Sequence, residues 1–191
     1  MWPLLVTSVI TTTVVIQRIF FILRETKRRQ PDVVDRMLAA VERGDMELAV
    51  AIGQESKDFV ARALTHGLTH GEKSFSAALM RAANSELKRF ANGLSLLDTS
   101  ITLSPLLGLL GTVTGMIRAF SLLGGQEIEA PTIITGGIAE ALIATAFGLG
   151  IAIVALIPFN YLNGRLEEAR RELENASSHL EILLTEPVKQ L

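Results

Sequence analysis

Three long stretches of this chain carry almost no charge, and segments of amphipathic helical pattern lie between and after them. The last stretch organises the rest. Residues 133–161 hold one charged side chain, Glu140, and exceed the about 20 apolar residues that a helix needs to cross a bilayer. Gly137, Ala141, Ala144, Gly148, Ala152 and Ala155 recur at spacings of three and four. That lays a stripe of small residues down one side, where another helix backbone can approach closely. A carboxyl inside such a span costs roughly 2.5 to 3.5 kcal/mol on insertion scales, so Glu140 is expected to serve a pathway or a pairing and not to face lipid. The bland alternative is a residue near the span's end that reaches the headgroups. Thr145 stands about 7.5 Å further along the axis at the helical rise. From this span alone it reads equally as a hydroxyl bonded back to the preceding turn.

The first stretch, 1–23, is uncharged from Trp2 to Ile16 and is followed by the basic cluster Arg24, Lys27, Arg28 and Arg29. A cleaved signal peptide carries its basic residues before the apolar core, so this reads as a retained span with Trp2 at its outer interface. Arg18 is expected to snorkel to the inner surface. Almost nothing precedes this span, so a short further N-terminal segment is expected. The second stretch, 98–123, repeats Ser104, Gly108, Gly111 and Gly115 at four, three and four, a second small-residue stripe. Pro105 within it removes a helical donor and is expected to bend the helix.

Residues 24–97 read as a solvated helical domain. Pro31 opens a helix carrying Val34, Met37, Leu38 and Val41, which Gly44 ends. Asp45 caps a second with Leu48, Ala49 and Ile52. Phe59, Ala63 and Leu64 mark a third that ends near Gly67 or Gly71. From Ser74 a fourth runs through Leu79, Ala83, Leu87, Phe90 and Leu94, with Gly93 its one breaker. After the last span, 132–162, the tail 163–191 alternates Leu166, Ala169, Leu173, Ala176, Leu180 and Leu183, an a/d seam that Pro187 stops. The last span is expected to continue into it unbroken. The seam needs a partner, either the long helix before the second span or a sister subunit. The predicted fold is all-α: three membrane helices with long helical extensions.

Twelve Lys or Arg fall within 24–97, whereas the hairpin 124–131 carries Glu127 and Glu129 and no base. The asymmetry places the helical domain and the tail inside, and the N-terminus and hairpin outside. Composition agrees with a membrane protein, at 49% hydrophobic residues and a mean hydropathy of +0.38. Cysteine is absent, which excludes disulfides and thiol chemistry. A net charge of −2 gives no nucleic-acid footprint. His66 and His70, at i and i+4, lack a third ligand, so no metal site is expected. The Gly-rich run 108–115 lacks the Gly-Lys-Ser/Thr ending of a phosphate loop. No nucleophile and base stand together, so neither an enzyme nor a cofactor is expected.

Two segments carry a family resemblance. Ser104-Pro-Leu-Leu-Gly-Leu-Leu-Gly-Thr-Val-Thr-Gly-Met-Ile-Arg-Ala-Phe lies in the second span and Gly136-Gly-Ile-Ala-Glu-Ala-Leu-Ile-Ala-Thr-Ala-Phe-Gly-Leu in the third. With the order of spans and extensions, they make the chain resemble the MotA/TolQ/ExbB proton channel family over nearly its whole length, and ExbB within it most. The resemblance implies a homopentamer in the bacterial inner membrane that encloses the single helices of ExbD-like or TolR-like subunits. It further implies that proton flow is coupled to a TonB-like or TolA-like protein. Thr112 matches the family's pore threonine, and Glu140 and Thr145 match its glutamate and second threonine. The protonating aspartate belongs to the partner helix. Gln17 precedes Arg18 where many relatives have Glu. ExbB-type and TolQ-type systems both stay open, and the reading from another class is a non-conducting membrane scaffold.

Overall fold

The computed structural model describes residues 2–70, 74–121 and 130–185, with side chains from 135 onward in the last segment. The hairpin's Glu127 and Glu129, the end of the second span at 122–123 and the stop at Pro187 lie outside the described residues. All the regular structure there is α-helical: α1 (Trp2–Lys27), α2 (Pro31–Glu42), α3 (Met46–Glu55), α4 (Phe59–His70), α5 (Phe75–Ala91), α6 (Leu94–Ser121) and α7 (Ala130–Thr185). Three helical stretches are long and apolar enough to cross a membrane, and they contain α1, α6 and the first part of α7. The third span and the tail are one continuous helix through Pro158.

Contacts divide the chain into two compact units. One comprises residues 1–19 and 93–162, the other 20–92 and 163–191.

The second unit is built from short amphipathic helices with well-marked ends. At the end of α2, the Asp45 and Gly44 amides donate back to Ala40 and Val41 at 2.9 Å each. This needs a left-handed residue, and Gly44 supplies it at φ +79°. Asp45 then caps α3 through the Leu48 amide at 2.9 Å, and Ser74 caps α5 through that of Ala77. Val34, Met37, Leu38 and Val41 are buried as expected, together with Phe59, Val60, Ala63, Leu64, Leu79 and Phe90. Leu48, expected in the core, is 45% exposed, because α3 turns Ala49 and Gly53 inward instead. The tail seam buries Ala169, Leu173, Ala176 and Leu180, and Leu173 shares a groove with Leu79, Met80, Ala83 and Leu87 of α5. Within this chain the seam meets the helix before the second span.

In the first unit, Gly93 at φ +78° starts α6 afresh after α5. A side chain there would meet Val14 and the stem of Arg18, at 3.2 and 3.1 Å from its first carbon. Arg18 is therefore not a free interfacial cation; it is 5% exposed and held against the start of α6.

Candidate functional site

Within the first unit, α6 and α7 meet through residues too small to hold them apart. A Cβ added at Gly148 would lie 2.5 Å from the Ser104 carbonyl oxygen and 3.0 Å from Gly108 Cα. One at Gly111 would lie 2.6 Å from Ala144 Cβ, one at Gly115 3.1 Å from Ala141 Cβ, and one at Gly137 2.5 Å from Ala119 Cβ. As the number rises along α6 it falls along α7, so the two helices are antiparallel. Ser104 is fully buried and turns its hydroxyl into its own helix, onto the Ser100 carbonyl at 2.6 Å. That leaves its backbone open to Gly148. Ala152 is buried further along the same stripe.

The two stripes place the polar residues by register. Thr112 follows Gly111 and Thr145 follows Ala144, each turned about 100° from its stripe in the direction of rising number. In antiparallel right-handed helices that turn leads to the same side of the interface. Both threonines thus share one flank of the α6/α7 pair. Glu140 precedes Ala141, so it is turned the other way and stands on the opposite flank, exposed. Phe147, Ile151 and Val154 precede Gly148, Ala152 and Ala155 and share that second flank. There they form a groove of about 550 Å³ with Ser8, Thr11 and Thr12 of α1. Helix α1 therefore lies on the Glu140 side.

The two hydroxyls are held differently. Thr112 donates back to the Leu109 carbonyl at 2.6 Å, a bond within its own turn. Thr145 donates across the interface to the Gly108 carbonyl at 3.1 Å. The hydroxyl does not bond back to its own preceding turn, because the missing side chain at Gly108 brings a carbonyl of α6 within reach. A single chain brings Thr112 and Thr145 to one side and does not bring Glu140 to them.

The basic cluster after α1 is likewise divided. Arg24 and Lys27 are exposed and Arg28 is half-buried. Arg29 pairs with Asp58 and, at 2.9 Å, with Glu172 of α7. Burial alone would lower its pKa, but the bond to Glu172 and the charge of Asp58 outweigh this and hold the guanidinium above its ordinary value. Asp58 is 1% exposed, and it also accepts from the Gln30 amide at 2.6 Å and the Val60 amide at 2.8 Å. It was not singled out in the sequence, although an Asp immediately before the apolar run at Phe59 carries the N-cap signature. A second cluster joins Arg62 to buried Glu25 at 3.0 Å and to Glu86 at 2.8 Å, across three helices. His66 and His70 stack at 4.3 Å between centroids and are exposed, and no group of three or more metal-ligating side chains occurs among the described residues.

A family model described as the MotA/TolQ/ExbB proton channel family matches residues 52–175. The putative biopolymer transport protein ExbB-like 1 of Synechocystis is 37% identical, over 97% of this chain and 75% of its own length. A putative ExbB homolog of Methanothermobacter thermautotrophicus is 29% identical over 83% of this chain and 57% of its own. The Tol-Pal system protein TolQ of Haemophilus influenzae is 38% identical over 54% of this chain and 45% of its own.

Proposed function

The chain belongs to the MotA/TolQ/ExbB proton channel family, and from that premise we propose that it is the channel-lining subunit of an ExbB-type energy-transducing complex in a bacterial inner membrane. Five copies enclose the single helices of an ExbD-like partner. The helical domain at 24–97 and the tail are cytoplasmic, and the complex drives a TonB-like protein. The observation that supports this most is the α6/α7 pair. Two apolar helices are packed backbone against backbone, and two threonine hydroxyls are set on one flank with one of them fixed by a carbonyl of the other helix.

A threonine hydroxyl can donate and accept at once, so it can hold a water in a path otherwise lined by carbon. Repeated around a ring, the threonine flank gives the protonated carboxyl of a partner helix hydroxyls to exchange with. Packing through Gly108, Gly111, Gly115, Ala141, Ala144 and Gly148 keeps that flank rigid while the partner moves. Glu140, on the other flank, reaches such a path only across the boundary with the next copy or with the partner helix. Its role is then to pair with or orient that neighbour at the outer end. A TolQ-type assignment, with TolR-like and TolA-like partners, is supported by the TolQ relative and leaves the chemistry of this chain unchanged.

The test is to purify the chain together with an ExbD-like one-span protein, weigh the complex by native mass spectrometry, and measure proton uptake after reconstitution into vesicles. Five copies with the one-span partner and a proton flux agree with the proposal. A stable assembly without flux leaves the scaffold reading.

A further inference from the structure

We infer that Asp98 is a proton-carrying residue at the inner end of the threonine flank; this rests on the proton path proposed above and names a member of it. Among the described residues the first unit holds two carboxylates, Asp98 and Glu140. Asp98 lies fourteen residues before Thr112 on α6, about 40° from it around the helix at 100° per residue, so it is turned to the same flank as Thr112 and Thr145. Glu140 is on the other. Asp98 is thus the one described carboxylate on the side that bears the hydroxyls.

Nothing among the described residues depends on it there. Asp98 lies past the first turn of α6, where the Leu97 amide is already bonded to the Gly93 carbonyl at 3.1 Å, so it caps no helix end. Its carboxylate makes no ion pair or hydrogen bond among the described residues, and it is exposed. The Thr102 hydroxyl donates instead to the backbone carbonyls of Thr99 and Asp98, at 3.0 and 3.3 Å. In a helix whose other charged side chain is Arg118, Asp98 stands at the inner edge of the span with neither a capping nor a pairing role among the described residues, which leaves its carboxylate open to exchange protons.

The same flank supplies the intermediate stations. Asp98, Thr102, Pro105 and Thr112 lie within about 40° of Asp98 around the helix, and Asp98 to Thr112 spans about 21 Å of rise. Pro105 lacks an N–H, so the Ile101 carbonyl loses its helical donor and is available to water. Protons arriving past Thr112 therefore meet a hydroxyl, a free carbonyl and a carboxylate in turn. Asp98 accepts one proton from that water chain and gives it to bulk water at the inner surface, returning to the anion. The other titratable side chains of this unit on the helices packed with α6 are Arg18 of α1 and Glu140 and Tyr161 of α7, all among the described residues. Arg18, held against Gly93, is the one placed near the same end.

The experiment is proton uptake into vesicles containing the full chain and its one-span partner, for wild type, Asp98→Asn, Asp98→Glu and Thr112→Ala, with assembly checked by native mass. Asp98→Asn should lower flux at least tenfold without changing the assembly. Small buffers such as formate should restore part of that flux, and Asp98→Glu should retain flux with a displaced pH profile. Wild-type flux and pH profile in Asp98→Asn, with flux lost in Thr112→Ala, would overturn the role of Asp98 and leave the path standing. If Asp98→Asn fails to assemble, an undisplaced pH profile in Asp98→Glu overturns it instead. Absence of flux in the wild type would overturn the path itself, and Asp98 with it.

Discussion

Gly148 of α7 faces Ser104 of α6 so closely that the first carbon of any side chain added to it would stand 2.5 Å from the Ser104 carbonyl oxygen. The obstacle is backbone, which cannot rotate away as a side chain can. Gly148→Ala should therefore lower the thermal midpoint of the detergent-purified assembly. The cost is about 1 to 3 kcal/mol for each copy, and Gly148→Leu should cost more. Gly150→Ala, two residues on and facing open space within this chain, serves as the control for helix propensity. Equal midpoints for Gly148→Ala and Gly150→Ala would count against a close α6/α7 approach.

Asp58 should be the most sensitive single position of the helical domain. Its carboxylate is fully buried and bonded to Arg29, the Gln30 amide and the first turn of α4. Replacing it with Ala takes from the part-buried Arg29 one of its two carboxylates and uncaps a helix, at a cost of about 1.5 to 3 kcal/mol. Circular dichroism melts of Asp58→Ala and Glu172→Ala compare a buried with a half-exposed partner of the same arginine. The loss at Glu172 should be the smaller.

Thr145 should depend on its hydroxyl more than on its shape. Thr145→Ser retains the bond to the Gly108 carbonyl, whereas Thr145→Val removes it at nearly constant volume. Loss of that bond should cost about 0.5 to 1.5 kcal/mol, readable as a lower thermal midpoint in Val than in Ser.

The Lys and Arg distribution gives a topology that reporters can read. Fusions at residue 60 and at residue 127 should report opposite sides of the membrane, with residue 60 inside. The same side for both would break the three-span reading.

The helices were legible because their signals are local. Gly44 and Gly93 mark ends by their positive φ, Asp45 and Ser74 by side-chain oxygens that accept a first-turn amide, and the tail heptad shows its buried seam in its spacing alone. The small-residue stripes at 104–115 and 137–155 could be read as faces, and register then follows from their contact. What pairs across sequence could not be read. Arg29 looks like one more interfacial cation until Asp58 and Glu172 are seen around it. Arg18 looks like a snorkelling residue until Gly93 is found against its stem. The division of Thr112 and Thr145 from Glu140 depends on which side of a stripe each residue follows, so it needed the antiparallel pairing of α6 and α7.

The account stands or falls on whether the threonine flank carries protons. The direct measurement is proton uptake into vesicles holding the chain and its one-span partner, comparing wild type with the Thr112→Ala/Thr145→Ala double variant and with Glu140→Gln, each confirmed assembled by native mass. The account predicts that the double variant loses at least nine-tenths of the flux, about 1.4 kcal/mol or more of barrier. Glu140→Gln, which keeps shape and hydrogen bonding, should retain part of it. Wild-type flux in the assembled double variant would contradict the assignment of that flank to the proton path.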